Sequence, residues 1–416
     1  MAASRLLNTP DMSAQAIWSG HTHATLERLR TQAVVLLVQD TTCLHDGTTQ
    51  PQAGMGTVKS NTRAASRLQP TVALTPERVH VGGMRRMVWQ RPAQPVAQQR
   101  KRTPLEEQES DRWLEGYQGA CAVKQAGPAT LVVHRADRAG DLQEWLMDGR
   151  RREPGQRAEW IIRAQADRRL APGAAPRYWW AERPQTCALG PLPIDLARQP
   201  ERPPRPVTLA VTAQPVTCYG ARRPGGKLPP VTVRAVYAQE LNPPAGEESG
   251  TWLLRTSRPV TDLPRAGLGG PWYRCRWDIA RFVRALQQGC QIEPLRVQTD
   301  QRFLNALAID VIVAWRIHTI TMAGRAYPAM SCEVVFEPRA WHTLETLQHH
   351  CHPPPPPPPL REMVRSLAPL GGFFARTRDG EPGIQAIWQG DQRLHEFIGA
   401  IETYRTVHAG ERNVSC

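Results

Sequence analysis

Two aspartates stand at places where carboxylates can do chemistry. Asp40 follows the apolar run Ala33-Val-Val-Leu-Leu-Val38, and Asp137 follows the run Thr130-Leu-Val-Val133 by a few residues. Carboxylates brought together at the ends of adjacent strands can bind two divalent cations, Mg²⁺ or Mn²⁺. Such a pair orients an attacking water and stabilises the leaving oxygen in phosphoryl transfer. An aspartate after a strand is also a common turn former, so on this evidence alone both readings stand. A third element bears on the choice. Wound as a helix at about 100° per residue, Trp272 to Cys290 places Tyr273, Arg276, Ala280, Arg284 and Gln287 on one face. Ile279, Phe282 and Leu286 fall on another face, roughly 115° round the axis, and suit burial against a sheet. The Tyr/Arg stripe carries no acid, which suits contact with a phosphate backbone.

The elements that must position these residues are legible as patterns. Ala33–Val38 and Thr130–Val133 are short, β-branched runs that read as buried strands. Val72–Leu74 and Arg78–Val81 flank Pro76 and read as a hairpin or meander continuing the sheet. Residues 92–112 are charged and Pro/Gln-rich, a surface excursion turning helical near Glu106. A helix is expected from Asp141 to Asp148. Residues 1–30 hold one amphipathic segment, Thr22–Leu29, too little for a domain of their own. Between about 150 and 250, prolines cluster (Pro200, Pro203, Pro204, Pro206) near alternating runs at Val207–Val211 and Val231–Tyr237, which predicts a β-rich insertion. From Trp272 the pattern turns helical, with long apolar runs over 303–320. Pro353–Pro359 form a semi-rigid spacer before a last helical segment. The predicted organisation is a short N-terminal segment (1–30), an α/β core (31–295) containing the insertion, and a helical C-terminal region (296–416).

Composition bounds the partners. Of 416 residues, 52 are Lys or Arg and 38 Asp or Glu, a formal charge of +14. Four of the cations are lysines (Lys59, Lys101, Lys124, Lys227) and the other 48 arginines, whose guanidinium fork suits phosphate. A GC-rich genome also favours arginine, but the net field still attracts nucleic acid or anionic surfaces. The uncharged apolar run 33–38 is far below the roughly 20 residues of a membrane span, so no membrane partner is expected. Nine scattered cysteines form no disulfide framework, which suits a reducing cytoplasm. His349-His-Cys-His352 cannot easily close a tetrahedron from adjacent positions and reads as solvated linker. Arg100-Lys-Arg102 reads as a solvated basic loop, and Cys290 as a small buried residue.

Several segments, taken in order, resemble one enzyme family. Val38-Gln-Asp-Thr-Thr42, Asp137-Arg-Ala-Gly-Asp-Leu142, Glu240-Leu-Asn-Pro-Pro244, Trp252-Leu-Leu-Arg-Thr-Ser257 and Tyr273-Arg-Cys-Arg-Trp-Asp-Ile279 resemble DDE transposases of the insertion-sequence-four family, in its transposon-five-like branch. Leu370-Gly-Gly-Phe-Phe-Ala-Arg376 and Asp379-Gly-Glu-Pro-Gly383 with Trp388 look like that branch's C-terminal dimerisation segment. The resemblance implies a ribonuclease-H-like catalytic core, cut-and-paste DNA transposition, Mg²⁺ or Mn²⁺, transposon-end and target DNA as partners, and a homodimer. It makes Asp40 and Asp137 the metal-binding catalytic aspartates, framed by Arg138 and Asp141. Tyr273 and Arg276 open the Tyr-x2-Arg-x3-Glu-x6-Lys signature that holds end phosphates. Arg284 matches a further basic contact, and Trp252 the tryptophan on which a flipped base stacks.

The chain also departs from that pattern. The signature glutamate falls on Ala280 and its lysine on Gln287. Asp278 lies about 160° off that face, so it should point elsewhere. Ala139 replaces an acidic neighbour, and Gly267-Leu-Gly-Gly-Pro271 should fray the helix start. The family's N-terminal end-binding domain has only about 30 residues to occupy ahead of the first strand. The expectation is a transposase impaired in catalysis. The alternatives are a non-enzymatic, DNA-associating, dimerising remnant that inhibits an intact relative, and an unrelated nuclease of the same fold.

Overall fold

Why the first aspartate sits where it does follows from the strand before it. Val35 to Gln39 are all buried, on both faces of the strand, as a continuous Val/Leu run in the middle of a sheet requires. The computed structural model of the chain describes residue 9 and residues 12–45, 57–58, 61–90, 110–165, 167–171, 177–182, 187–196, 205–223, 226–247, 249–263, 271–290, 300–349, 356–376 and 379–412. These residues form a mixed α/β fold with a large mixed sheet and a set of C-terminal helices.

Helix α1 (Ala14–Arg30) leads into β1 (Val34–Gln39), β2 (Thr42–His45), β3 (Thr57–Val58), β4 (Asn61–Leu74) and β5 (His80–Gln90). Helix α2 (Asp111–Ala126), β6 (Leu131–Ala136), α3 (Gln143–Arg151) and β7 (Glu159–Arg163) follow. Then come β8 (Arg169–Leu170), β9 (Arg177–Tyr178), the one-turn α4 (Trp179–Glu182), β10 (Cys187–Leu196), β11 (Arg205–Cys218), β12 (Arg222–Arg223), β13 (Gly226–Lys227), β14 (Val231–Leu241) and β15 (Thr251–Thr256). The sheet runs β2-β4-β1-β6-β7-β15-β14-β11-β8-β9, with β3 and β5 also on β4 and β10 on β11. β1, β6 and β7 are parallel, while β4 is antiparallel to β1 and β5 to β4.

The core of this part is aromatic. Trp113, Tyr117, Trp145 and Trp160 are buried with Val35, Leu37 and Val132 in one cluster, and the Tyr117 hydroxyl donates to the Ala158 carbonyl at 3.0 Å. β6 runs on past the apolar Val133 to Ala136 because its polar residues have places inside. His134 stacks on Trp145, ring centroids 5.0 Å apart, and Tyr117 stacks on the same indole at 5.1 Å, with its own ring 6.1 Å from the imidazole. Burial pushes its imidazole down to about 3, so it is neutral. The expected helix at 141 begins at Gln143, after a 3-10 turn at Arg138–Gly140. The helix foreseen near Glu106 is described from Asp111; the excursion at 91–109, with Arg100–Arg102, lies outside the described residues.

Helix α5 (Pro271–Arg284) is α-helical only to Arg284, and residues Ala285–Gly289 form a π-turn closed by Cys290 N–H donating to the Ala285 carbonyl at 3.0 Å. A spacing of 100° per residue therefore stops holding before Gln287. The chain divides into two compact units, one of residues 19–280 and one of residues 281–416 with 1–18.

The second unit contains α6 (Asp300–Ala326), α7 (Pro338–His349), α8 (Leu360–Leu367) and α9 (Ile384–Arg412). In contrast to the sequence expectation, Gln301–Ala326 is long and apolar enough to cross a membrane, with 56% of its most apolar window buried. Leu307, Val311, Ala314, Ile317 and Ile320 point into the protein, together with the buried His318, the arrangement of a central core helix. The backbones of the turn at Ala368–Gly371 and of α9 approach closely. A Cβ on Gly371 would collide with the Ala386 carbonyl, and one on Gly390 with the Leu367 carbonyl. The apolar stripe Ile384, Ile387, Trp388 and Leu394, whose spacing suits a partner helix, is used within the chain instead. Ile387 and Leu394 are fully buried, and Ile384 and Trp388 line a small internal gap with Ala314 and Ile317. The apolar residues left open on α9 lie further along: Phe397, Tyr404 and Val407.

Candidate two-carboxylate site

The parallel pairing of β1 and β6 sets the geometry. Val34 lies opposite Leu131 and the register holds to Val38 opposite Arg135. Asp40 and Asp137 each lie just past the end of these two paired strands, and the register extended two residues beyond its last pair would align them. Both residues are partly buried. The Asp40 carboxylate accepts the Thr41 N–H at 2.8 Å. Asp137 opens the 3-10 turn, its carbonyl accepting the Gly140 N–H at 3.0 Å. Gly140 is required there, because a Cβ would run into Ala136 and the Trp145 ring.

Asp141 fixes the far end of that turn. Its carboxylate is fully buried, takes the Gln165 N–H at 2.9 Å, and is paired with Arg168 at 3.0 Å and with Arg255. Burial alone would raise its pKa, but the Arg255 and Arg168 charges and the hydrogen bonds to it hold the carboxyl below the usual range. Arg255 is itself fully buried in β15 and lies over the Trp179 ring at 5.2 Å. Asp141 is thus an internal anchor of the turn that carries Asp137. Arg138 is exposed in the same turn.

Among the described residues, contacts at Trp272 and at Asp278 fasten helix α5. The Arg135 guanidinium donates to the Trp272 carbonyl, Arg258 lies over the Trp272 ring at 4.7 Å, and Arg78 grips Asp278 with two hydrogen bonds of 2.7 and 2.6 Å. Those bonds raise the Arg78 pKa. Arg78 has φ 72°, a left-handed conformation that costs about 1–3 kcal/mol in a non-glycine residue. Asp278 is fully buried on the side of Cys275 and Ile279, so it turns inward as its helical angle foretold. Ala280 is exposed, as is Arg284. Tyr273 and Arg276 lie on α5, and their side chains fall outside the described residues.

Trp252 is partly buried in β15 opposite Ala238, beside Gly250. Glu240, in the neighbouring motif, is structural: it pairs with Arg205 and accepts the Gly250 N–H at 3.3 Å. Sequence reasoning missed the arginines that hold the site, Arg78, Arg135, Arg168 and Arg255. The one usable signal was an arginine amid the apolar Trp252–Thr256 strand, because a buried charge needs a partner.

Two carboxylates at adjacent strand ends are hard oxygen donors that fit Mg²⁺ or Mn²⁺, which keep several waters and use one or two carboxylates. Among the described residues no group of three or more His, Cys, Asp or Glu side chains is placed to hold a metal. His350–His352 lie outside them.

Comparison with known proteins adds two findings. Residues 312–409 match the family model of the transposase Tn5 dimerisation domain. A structure of the piggyBac transposase synaptic complex with hairpin DNA aligns at 11% identity and a TM-score of 0.34, over 76% of this chain and 53% of that one. The chain therefore spans about half the length of that transposase.

Proposed function

We propose that the chain is a DNA transposase of the DDE type, descended from the insertion-sequence-four family and impaired in catalysis. The observation that supports this reading is that Asp40 and Asp137 each follow the end of one of two neighbouring parallel strands, β1 and β6. The order β5-β4-β1-β6-β7, with the first two strands antiparallel and the last three parallel, supports a ribonuclease-H-like core. The match of residues 312–409 to a transposase dimerisation domain supports a homodimer built through the C-terminal unit.

In this reading Asp40 and Asp137 hold Mg²⁺ or Mn²⁺, which when bound activates water and steadies the leaving oxygen of a phosphodiester. The Asp141–Arg255–Arg168 cluster keeps the Asp137 turn in place. Arg138, Arg284, Tyr273 and Arg276 supply contacts to end and target DNA, and Trp252 a surface for an extruded base. Ala280 brings no carboxylate, and Asp278, committed to Arg78, cannot replace it. That second fact favours the alternative reading, in which the chain acts without cleaving: it binds DNA and pairs with an intact relative in unproductive dimers.

Calorimetric titration with Mn²⁺ tests the carboxylate pair. The full chain should bind the ion, and Asp40→Asn/Asp137→Asn should abolish the binding. Equal heats from both proteins would refute the site.

A further inference from the structure

A second surface, in the β-rich part of residues 19–280, has the chemistry to bind nucleobases. Leu170 of β8 pairs with Cys218 of β11, and Arg169 of β8 pairs with Tyr178 of β9. The same antiparallel register sets Tyr219 opposite Arg169, and Tyr219 N–H donates to the Arg169 carbonyl at 2.9 Å. Tyr219, Arg169 and Tyr178 therefore form one cross-strand row on one face of the sheet, about 10 Å long at the usual strand spacing. Leu170 and Cys218 turn to the other face and are buried.

The row alternates aromatic and cation. The Arg169 guanidinium lies 5.2 Å from the Tyr219 ring centre, and the Lys227 ammonium lies 4.5 Å from the same ring. Arg222 pairs with Lys227 in the β12–β13 hairpin beside it. Arg169, Arg222 and Lys227 are exposed, and among the described residues none of them pairs with a carboxylate. The neighbouring acid, Asp167, is engaged by the Trp180 N–H at 3.0 Å.

At the Tyr178 end of the row, Trp179 is fully buried while Tyr178 and Trp180 on either side of it are 43% and 44% exposed. Large exposed rings cost solvation unless something covers them, and none of the exposed residues of this row is aliphatic. Planar rings interleaved with unpaired cations match a strand whose bases stack and whose phosphates carry negative charge.

We propose that Tyr178, Trp180, Tyr219, Arg169 and Lys227 form a binding surface for single-stranded DNA, separate from the Asp40–Asp137 pair. The surface makes no demand on catalysis, so it stands or falls independently of the function proposed above. The test uses the full chain and the fluorescence anisotropy of labelled oligothymidine about 20 nucleotides long, long enough for a typical single-strand site. A strand of the same length made of abasic sites, and a duplex, serve as comparisons. Tyr178→Ala/Trp180→Ala should weaken oligothymidine binding at least about fivefold and leave the abasic strand unaffected. Tyr178→Phe/Trp180→Phe should retain binding, and Arg169→Ala/Lys227→Ala should weaken both strands. The proposal is overturned if the alanine pair binds oligothymidine like the parent, if the abasic strand binds as tightly as oligothymidine, or if the duplex alone is bound.

Discussion

Replacing Asp141 by Asn is the sharpest structural test of how the Asp137 turn is held. Asparagine keeps the shape of the side chain and removes its charge. Arg255, with no exposed side-chain surface, and Arg168, with 13%, then lose the carboxylate charge they share. Breaking a buried pair in this way costs about 3–5 kcal/mol. For a unit of this size each kcal/mol lowers Tm by about 2–4 °C, so the loss should be about 6–20 °C. The pH dependence has a definite sign. The folded-state pKa of Asp141 is depressed, so its contribution is complete above the unfolded value of about 3.9 and is lost as pH falls through the folded value. The Tm gap between parent and variant should be constant from pH 7 to pH 5, approximately, and close below about pH 4. Thermal melts followed by circular dichroism read both effects. Adding Arg168→Gln to the variant should recover part of the loss by removing one stranded cation. A loss under about 1 kcal/mol, unchanged by the second substitution, would refute the anchor.

Three further outcomes follow from the geometry. In a double-mutant cycle by denaturant unfolding, Arg78→Ala and Asp278→Ala should couple by about 0.5–3 kcal/mol, and additivity would contradict the pair seen at α5. Gly390→Ala should destabilise residues 281–416 by about 1–3 kcal/mol, because its Cβ meets the Leu367 carbonyl; an unchanged melting curve would show that the helix and turn do not meet so closely. Phe397→Asp/Tyr404→Asp should shift sedimentation from dimer to monomer while preserving the helical circular dichroism, whereas Ile387→Asp should unfold the region. A dimer that survives the first pair would move the contact off this face of α9.

The buried strands were legible because a continuous Val/Leu run at 33–38 has few other fates, and the hairpin at 72–81 because Pro76 stands between two β-branched runs. The inward side of this segment was legible too: Ile279 and Phe282 of α5 and Leu286 of the π-turn are all fully buried. What the pattern could not give was set by contacts across long separations. Arg78 meets Asp278 across 200 residues, and Arg255 meets Asp141 across 114; nothing near either arginine in sequence marks it as internal. His134 ended the apolar run by type, yet its ring belongs to the core because two aromatic neighbours supply stacking instead of hydrogen bonds. On α9, the spacing of Ile384, Ile387, Trp388 and Leu394 marks an apolar stripe, but spacing cannot say that the chain itself covers Ile387 and Leu394. The π-turn after Arg284 escaped as well, since it changes the angle per residue without changing any residue type.

In the function proposed above, Asp40 and Asp137 hold a metal ion and position 280 lacks the third carboxylate. The most direct measurement is strand nicking of pre-opened transposon-end DNA by the full chain in Mn²⁺, with the parent and Ala280→Glu compared side by side. Position 280 is exposed, so the longer side chain fits without displacing the core. Losing one group of such a unit costs orders of magnitude in rate. The parent should therefore leave the DNA intact, Ala280→Glu should nick it slowly, and Ala280→Glu with Asp137→Asn should again leave it intact. Nicking by the parent at the rate of Ala280→Glu would contradict the account.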